Sequence, residues 1–203
     1  MASNFSLFFL LMLALATATR LYLAYRQLAC VAAHRAAVPA KFTERIGLEA
    51  HQKAADYTLA KTRFGVQGLI VETAVLLGWT LGGGLQLLHD FWSVRLDGLG
   101  YGVALIFSVV FISSLIDLPF SLFRQFVIEE RFGFNRMTLK LFVTDLIKST
   151  ALGLAIGTPV LLAVLWLMGA MGEWWWLYVW AFWCGFNLLI LFIYPTWIAP
   201  LFN

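Results

Sequence analysis

Residues 99–123 read LGYGVALIFSVVFISSLIDLPFSLF, and residues 124–135 read RQFVIEERFGFN. The first stretch holds one charged residue, Asp117, and a helix needs about 20 predominantly apolar residues to cross the hydrocarbon core of a bilayer. The second is charged, and its residue order is too particular to be membrane filler. Four more apolar runs, roughly 5–25, 66–88, 146–171 and 174–194, pass the same length test. The chain is therefore expected to be all-α, a polytopic membrane helix bundle of about five transmembrane helices.

Composition agrees. Of 203 residues, 62% are hydrophobic and 12% charged, against about 25% charged in soluble domains. Mean hydropathy is +0.84. The first run is too long for a signal-peptide core and lacks a small-residue cleavage site after it, so it reads as a retained span. Cys30 and Cys184 lie far apart in different environments and imply no disulfide framework.

The positions of Lys and Arg set the orientation. Arg20, Arg26, Arg35, Lys41, Arg45, Lys53, Lys61 and Arg63 fall in or beside the connection between spans one and two. Arg124, Arg131, Arg136, Lys140 and Lys148 fall between spans three and four or at the start of span four. Of the 14 basic residues, this leaves only Arg95 elsewhere. The expected arrangement has the N-terminus outside, with both charged loops and the C-terminus in the cytoplasm. Trp174, Trp175 and Trp176 then start span five at the outer surface, as interfacial anchors do. Gly78/Gly82 and Gly153/Gly157 have the spacing of close helix contacts. Gly169 to Glu173 leaves only a tight turn between the last two spans, and Pro119 and Pro159 read as kinks. The first cytoplasmic loop mixes Ile46, Leu48, Ala50, Ala54, Tyr57 and Ala60 with charges, which predicts a surface helix able to run on into span two. Its basic residues fit topology and lipid contact, so no nucleic-acid partner is expected.

Ionisable residues within spans are expensive and mark function by default. Arg20, Glu72, Asp117 and Asn187 come from four spans, each on the order of 8–10 Å inside the cytoplasmic boundary at the helical rise. They form a candidate polar layer lining a wet cavity; snorkelling of Arg20 and private pairing of the carboxylates is the plainer alternative.

In the charged segment, Gly133 and Asn135 interrupt helical periodicity, so 132–135 should turn. Asn135 or Thr138 can cap the next helix, because a short side-chain oxygen accepts from free backbone N–H groups. Asp145 and Lys148 lie three apart on one helix face, suited to an ion pair. Glu129 and Glu130 are adjacent, so on a helix they point about 100° apart and do not readily serve one centre. Taken alone, Glu129, Glu130 and Arg131 read as a solvated interfacial face.

From Phe126 to Lys148 the sequence resembles the loop between membrane spans of type-1 CAAX prenyl proteases, membrane-embedded zinc endopeptidases. The shared pattern is phenylalanine, valine, isoleucine, two acids, Phe-Gly-Phe-Asn, a threonine, an aspartate and an Ile-Lys pair. Ile193-Tyr-Pro195 and Ile198-Ala-Pro-Leu-Phe-Asn203 are similar to that family's exit from span five. Arg26-Gln27, Val38-Pro39 and His51–Tyr57 look like its bacterial branch. The resemblance implies the family's N-terminal membrane domain, part of a ring of helices around a chamber in which peptides are cut. It further implies a bacterial inner membrane, with the endoplasmic reticulum as alternative. It makes Glu129, Glu130, Asn135, Asp145 and Lys148 candidates for docking or substrate contact, and assigns none of them a catalytic role.

Such proteases hold zinc with H-E-x-x-H and a later glutamate, the motif glutamate acting as base. His34, His51 and His89 do not begin that motif, so no metal ligand and no catalytic residue is expected within 1–203. Zinc would belong to the parent protein, on a catalytic segment expected after 203. The partners implied are the lipid bilayer, that C-terminal catalytic segment, and peptide or membrane-protein substrates. The 203 residues alone should be inactive. Two other readings stay open at this point: a stand-alone small channel or transporter, and a catalytically inactive membrane scaffold.

Overall fold

The computed structural model describes residues 2–202, which are helical throughout apart from short turns, with no strand among them. Helix α1 spans Ala2–His34. It runs beyond the apolar stretch because neither Pro nor Gly interrupts it before Pro39. Helix α2, Leu48–Thr80, starts at Gly47 and joins the surface helix of the first loop to the second span without a break. The apolar run 66–88, expected as one span, instead breaks after Thr80, and α3 begins at Gly84 and ends at Ser93. Glycines cause this. Gly83 has φ +79°, and a Cβ on Gly82 would lie 2.9 Å from the Gly78 backbone.

Helix α4, Gly98–Phe123, continues through Pro119 and passes directly into a π-helical turn, Arg124–Glu129. Helix α5, Leu139–Ala170, contains Pro159. After the turn at Gly172, helix α6 covers Trp175–Ile193 and ends in a second π-helical turn, Tyr194–Ile198, and a 3-10 turn, Ala199–Phe202. Four helical stretches are long and apolar enough to cross a membrane, and α2 with α3 makes a fifth if counted as one broken span.

The chain divides into two compact units. In the first, residues up to Gly84 with Ser113–Asn135, α1 packs along α2 and the first π-helical turn packs on α2. In the second, Leu85–Ile112 with the residues from Arg136 on, α5 packs along α6. Here Gly102 of α4 lies so close to Leu165 of α5 that a Cβ would come within 2.8 Å of a leucine methyl.

Among the described residues only Ala55, Ile128, Phe132 and Ile198 are buried apolar side chains. Phe5, Phe192 and most other large hydrophobics face outward, as a surface solvated by lipid requires. The buried positions lie at the charged segment, on the α2 helix it packs against, and at the C-terminal tail, so the two sequence motifs are packed structure.

Candidate functional site

The first unit closes its charged segment with a Schellman-type stop. Phe134 N donates to Glu129 O at 2.9 Å and Gly133 N to Glu130 O at 3.0 Å, with Gly133 in the left-handed region at φ +75°. The chain therefore reverses where the sequence predicted a turn, and Phe132 and Phe134 fold back onto α2. Tyr57 receives both. Its ring meets Phe132 edge-on with centroids 5.4 Å apart and Phe134 at 4.9 Å.

The Tyr57 hydroxyl donates to Glu129 Oε1 at 2.6 Å, a charge-assisted bond between half-buried groups. That bond, with partial burial and the carboxylate's charge, pushes the Tyr57 phenol up, against the opposing pull of Arg124. Glu130 takes a different partner. Asn135 Nδ2 donates to it at 2.8 Å, while Gln125 Nε2 donates to Asn135 Oδ1 at 2.6 Å. The adjacent carboxylates thus diverge, one tied to α2 and one to its own turn. Lys53 and Lys61 lie over the Phe134 and Tyr57 rings.

Arg35, just past the end of α1, ties the α1–α2 connection to α2. Its Nε and Nη2 donate to the two oxygens of Asp56 at 2.7 and 2.8 Å, a bidentate pair that holds the Asp56 carboxyl below the usual carboxylate range. Neither Tyr57 nor this pair is among the sequence-derived candidates. Tyr57 ends the His51–Tyr57 stretch, but no local pattern links it to a residue 72 positions away.

In the second unit, Thr138 caps α5 by accepting from Leu141 N at 3.2 Å. Farther along the same helix, Lys148 Nζ donates to the Leu201 carbonyl at 2.8 Å and stands 3.9 Å from Asp145 Oδ1. Lys148 therefore caps a carbonyl of the tail, as cations near helix C-termini do. Asp145 Oδ1 is buried without a hydrogen-bond partner, leaving Lys148 as its only described counter-charge.

The proposed polar layer is placed as follows. Arg20 and Glu72 line one cleft between α1 and α2, about 310 Å³ in volume. Asp117 does not line it; its carboxylate accepts from Ser121 one turn on at 3.1 Å. Asn187 lies in the second unit and donates to the Trp183 carbonyl of its own helix.

The residues present do not fit a zinc centre. His34 bonds the Cys30 carbonyl, His51 meets the His34 carbonyl and His89 meets the Tyr101 hydroxyl. Among the described residues no three of His, Cys, Asp or Glu gather as a metal requires.

The family described as CAAX prenyl protease N-terminal, five membrane helices, matches residues 27–203. A CAAX prenyl protease 1 homolog of Dictyostelium discoideum is 34% identical over 175 residues, covering 82% of this chain and 40% of that protein. The Caenorhabditis elegans homolog is 32% identical, covering 90% of this chain and 40% of that protein. The crystal structure of S. mikatae Ste24p superposes with a TM-score of 0.86 at 28% identity, over 94% of this chain and 46% of that one. The chain thus spans about two fifths of the length of these curated relatives. With a matching fold, the match over 27–203, and the packed loop and tail motifs, this multi-pass membrane chain belongs to the CAAX prenyl protease family, as its N-terminal membrane domain.

Proposed function

We propose that this chain builds the membrane wall of a chamber in which a zinc metalloendopeptidase hydrolyses peptide bonds near the cytoplasmic face. The observation that carries the reading is the likeness, over most of the chain, to the membrane half of CAAX prenyl proteases, with the match extending through the loop and tail motifs. On this reading, zinc and the hydrolytic residues lie on a C-terminal catalytic segment of the parent protein, and this chain alone is inactive. Of the candidate polar layer, Arg20 and Glu72 share the cleft between α1 and α2, while Asp117 and Asn187 each bond within their own helix. Glu130, exposed at the turn and held there by Asn135, contacts the catalytic segment or an incoming peptide. Lys148 and Asp145 fix the tail from which that segment would continue.

The basic residues support an orientation with the N-terminus outside and both charged loops cytoplasmic. The stretches at 26–27, 38–39 and 51–57 support a bacterial inner membrane, and the eukaryotic relatives make the endoplasmic reticulum the alternative.

The test is complementation in proteoliposomes. The chain alone, the catalytic segment of the parent alone, and both together are assayed for cleavage of a membrane-tethered peptide. Cleavage by the pair and by neither part is expected. Full cleavage by the catalytic segment alone would remove the chamber-wall role.

A further inference from the structure

We propose that the cleft between α1 and α2 holds a phospholipid whose headgroup joins a primary ammonium to a phosphodiester, Arg20 taking the phosphate and Glu72 the ammonium. Both residues line that cleft. Among the described residues neither has a hydrogen bond or an ion pair, and the ion pairs that do form are Arg35–Asp56 and Lys148–Asp145. Two opposite charges that share a recess in the membrane without closing on each other call for a ligand between them, because an unpartnered charge at that depth is expensive.

The rest of the lining fixes what the ligand is. Ala24, Val66 and Leu69 add apolar lining suited to the start of an acyl chain, and Thr62 adds a hydroxyl donor for a phosphate. The recess is open at Gly65, where a Cβ would meet nothing within 4 Å. At about 310 Å³ it is at the small end of ligand pockets, which run from about 300 to 1,000 Å³. A carboxylate binds an ammonium best through N–H donors, which a primary amine has and a quaternary one lacks. A headgroup with phosphate alone would satisfy Arg20 and leave Glu72 facing like charge. The chemistry therefore selects the zwitterionic primary amine over choline and over anionic glycerol. It depends on α1 and α2 crossing the membrane and not on any peptidase activity.

Native mass spectrometry of the full chain, released from micelles holding equal amounts of phosphatidylethanolamine, phosphatidylcholine and phosphatidylglycerol, tests this. One phosphatidylethanolamine should be retained in preference to the other two. Arg20→Gln and Glu72→Gln should each weaken its retention about tenfold, as loss of a charge-assisted bond does. Gly65→Leu should expel the lipid by filling the recess while far-UV circular dichroism stays unchanged. That variant keeps the test open if the charge variants misfold. Equal retention of the three lipids, preference for phosphatidylglycerol, or undiminished binding in Gly65→Leu would overturn the proposal.

Discussion

Tyr57 and Glu129, 72 residues apart, are joined by a 2.6 Å hydrogen bond that ties the amphipathic start of α2 to the π-helical end of α4. Beside it lie Phe132, whose ring meets Tyr57, and Ile128, next in sequence to Glu129, two of the buried apolar side chains. A polar clasp inside an apolar contact holds one register. Apolar packing alone tolerates sliding, whereas a displaced carboxylate would leave the phenol unsatisfied.

Tyr57→Phe should destabilise the first unit by about 1 kcal/mol, the usual worth of such a bond between partly exposed groups. Glu129→Leu, which removes the acceptor, should cost a similar amount. In a double-mutant cycle read by thermal unfolding in detergent, the two losses should not add. Additive losses would mean that the groups do not interact.

The same bond predicts an alkaline signature. Because the folded-state pKa of Tyr57 is raised, its contribution to stability is complete below the ordinary tyrosine value of about 10 and is lost as pH rises through the raised one. Subtracting the Tyr57→Phe titration from that of the unaltered chain at 295 nm should isolate a tyrosine ionising later than exposed tyrosines. A difference curve centred at the ordinary value would contradict the clasp.

Asp56 behaves in the opposite sense. Arg35 lowers its carboxyl pKa, so the stability it contributes is present above the ordinary carboxylate value and disappears as pH falls through the lowered one. Protection of the amides over 35–47, taken relative to their intrinsic exchange rate at each pH, should fall under acid in the unaltered chain. In Asp56→Asn that protection should be low at every pH, with the acid step gone.

Much of this architecture was legible in the sequence because bilayer crossing imposes a length and polarity rule on single segments. The turn at Gly133 and a cap by Asn135 or Thr138, of which the structure uses Thr138, were legible for a similar reason, since each depends on a few neighbouring residues. The break after Thr80 was hidden by hydropathy, which scores glycine as neutral and does not register that three in succession free the backbone. Glu129 and Glu130 were legible as carboxylates that diverge. Their partners were not, because Tyr57 reaches Glu129 only through tertiary packing, and the Glu130 contact depends on how the turn orients Asn135.

Gly133 gives a backbone test of that turn. Its φ of +75° is in the left-handed region, so Gly133→Ala should destabilise by about 1 kcal/mol and Gly133→Asn by less. Added side-chain volume is not the cause, because the nearest atom to a Cβ at this position would be Lys53 Nζ at 3.7 Å, ordinary contact. The order Gly, then Asn, then Ala in melting temperature is the outcome to look for. An alanine variant as stable as the parent would show that the turn has another conformation.

Lys148 and Asp145 separate charge pairing from capping. Lys148→Met removes the donor to the Leu201 carbonyl and leaves the buried Asp145 Oδ1 without its counter-charge. The expected loss is about 1–3 kcal/mol, the penalty of an unsatisfied buried group. Adding Asp145→Leu should recover part of it, because an apolar replacement of both partners leaves no orphaned charge. Capping of Leu201 would still be absent in the double variant, so exchange at the amides of 198–202 should stay fast even as global stability returns. If both quantities recover together, Lys148 serves only to neutralise Asp145 and the tail is held by its apolar contact at Ile198.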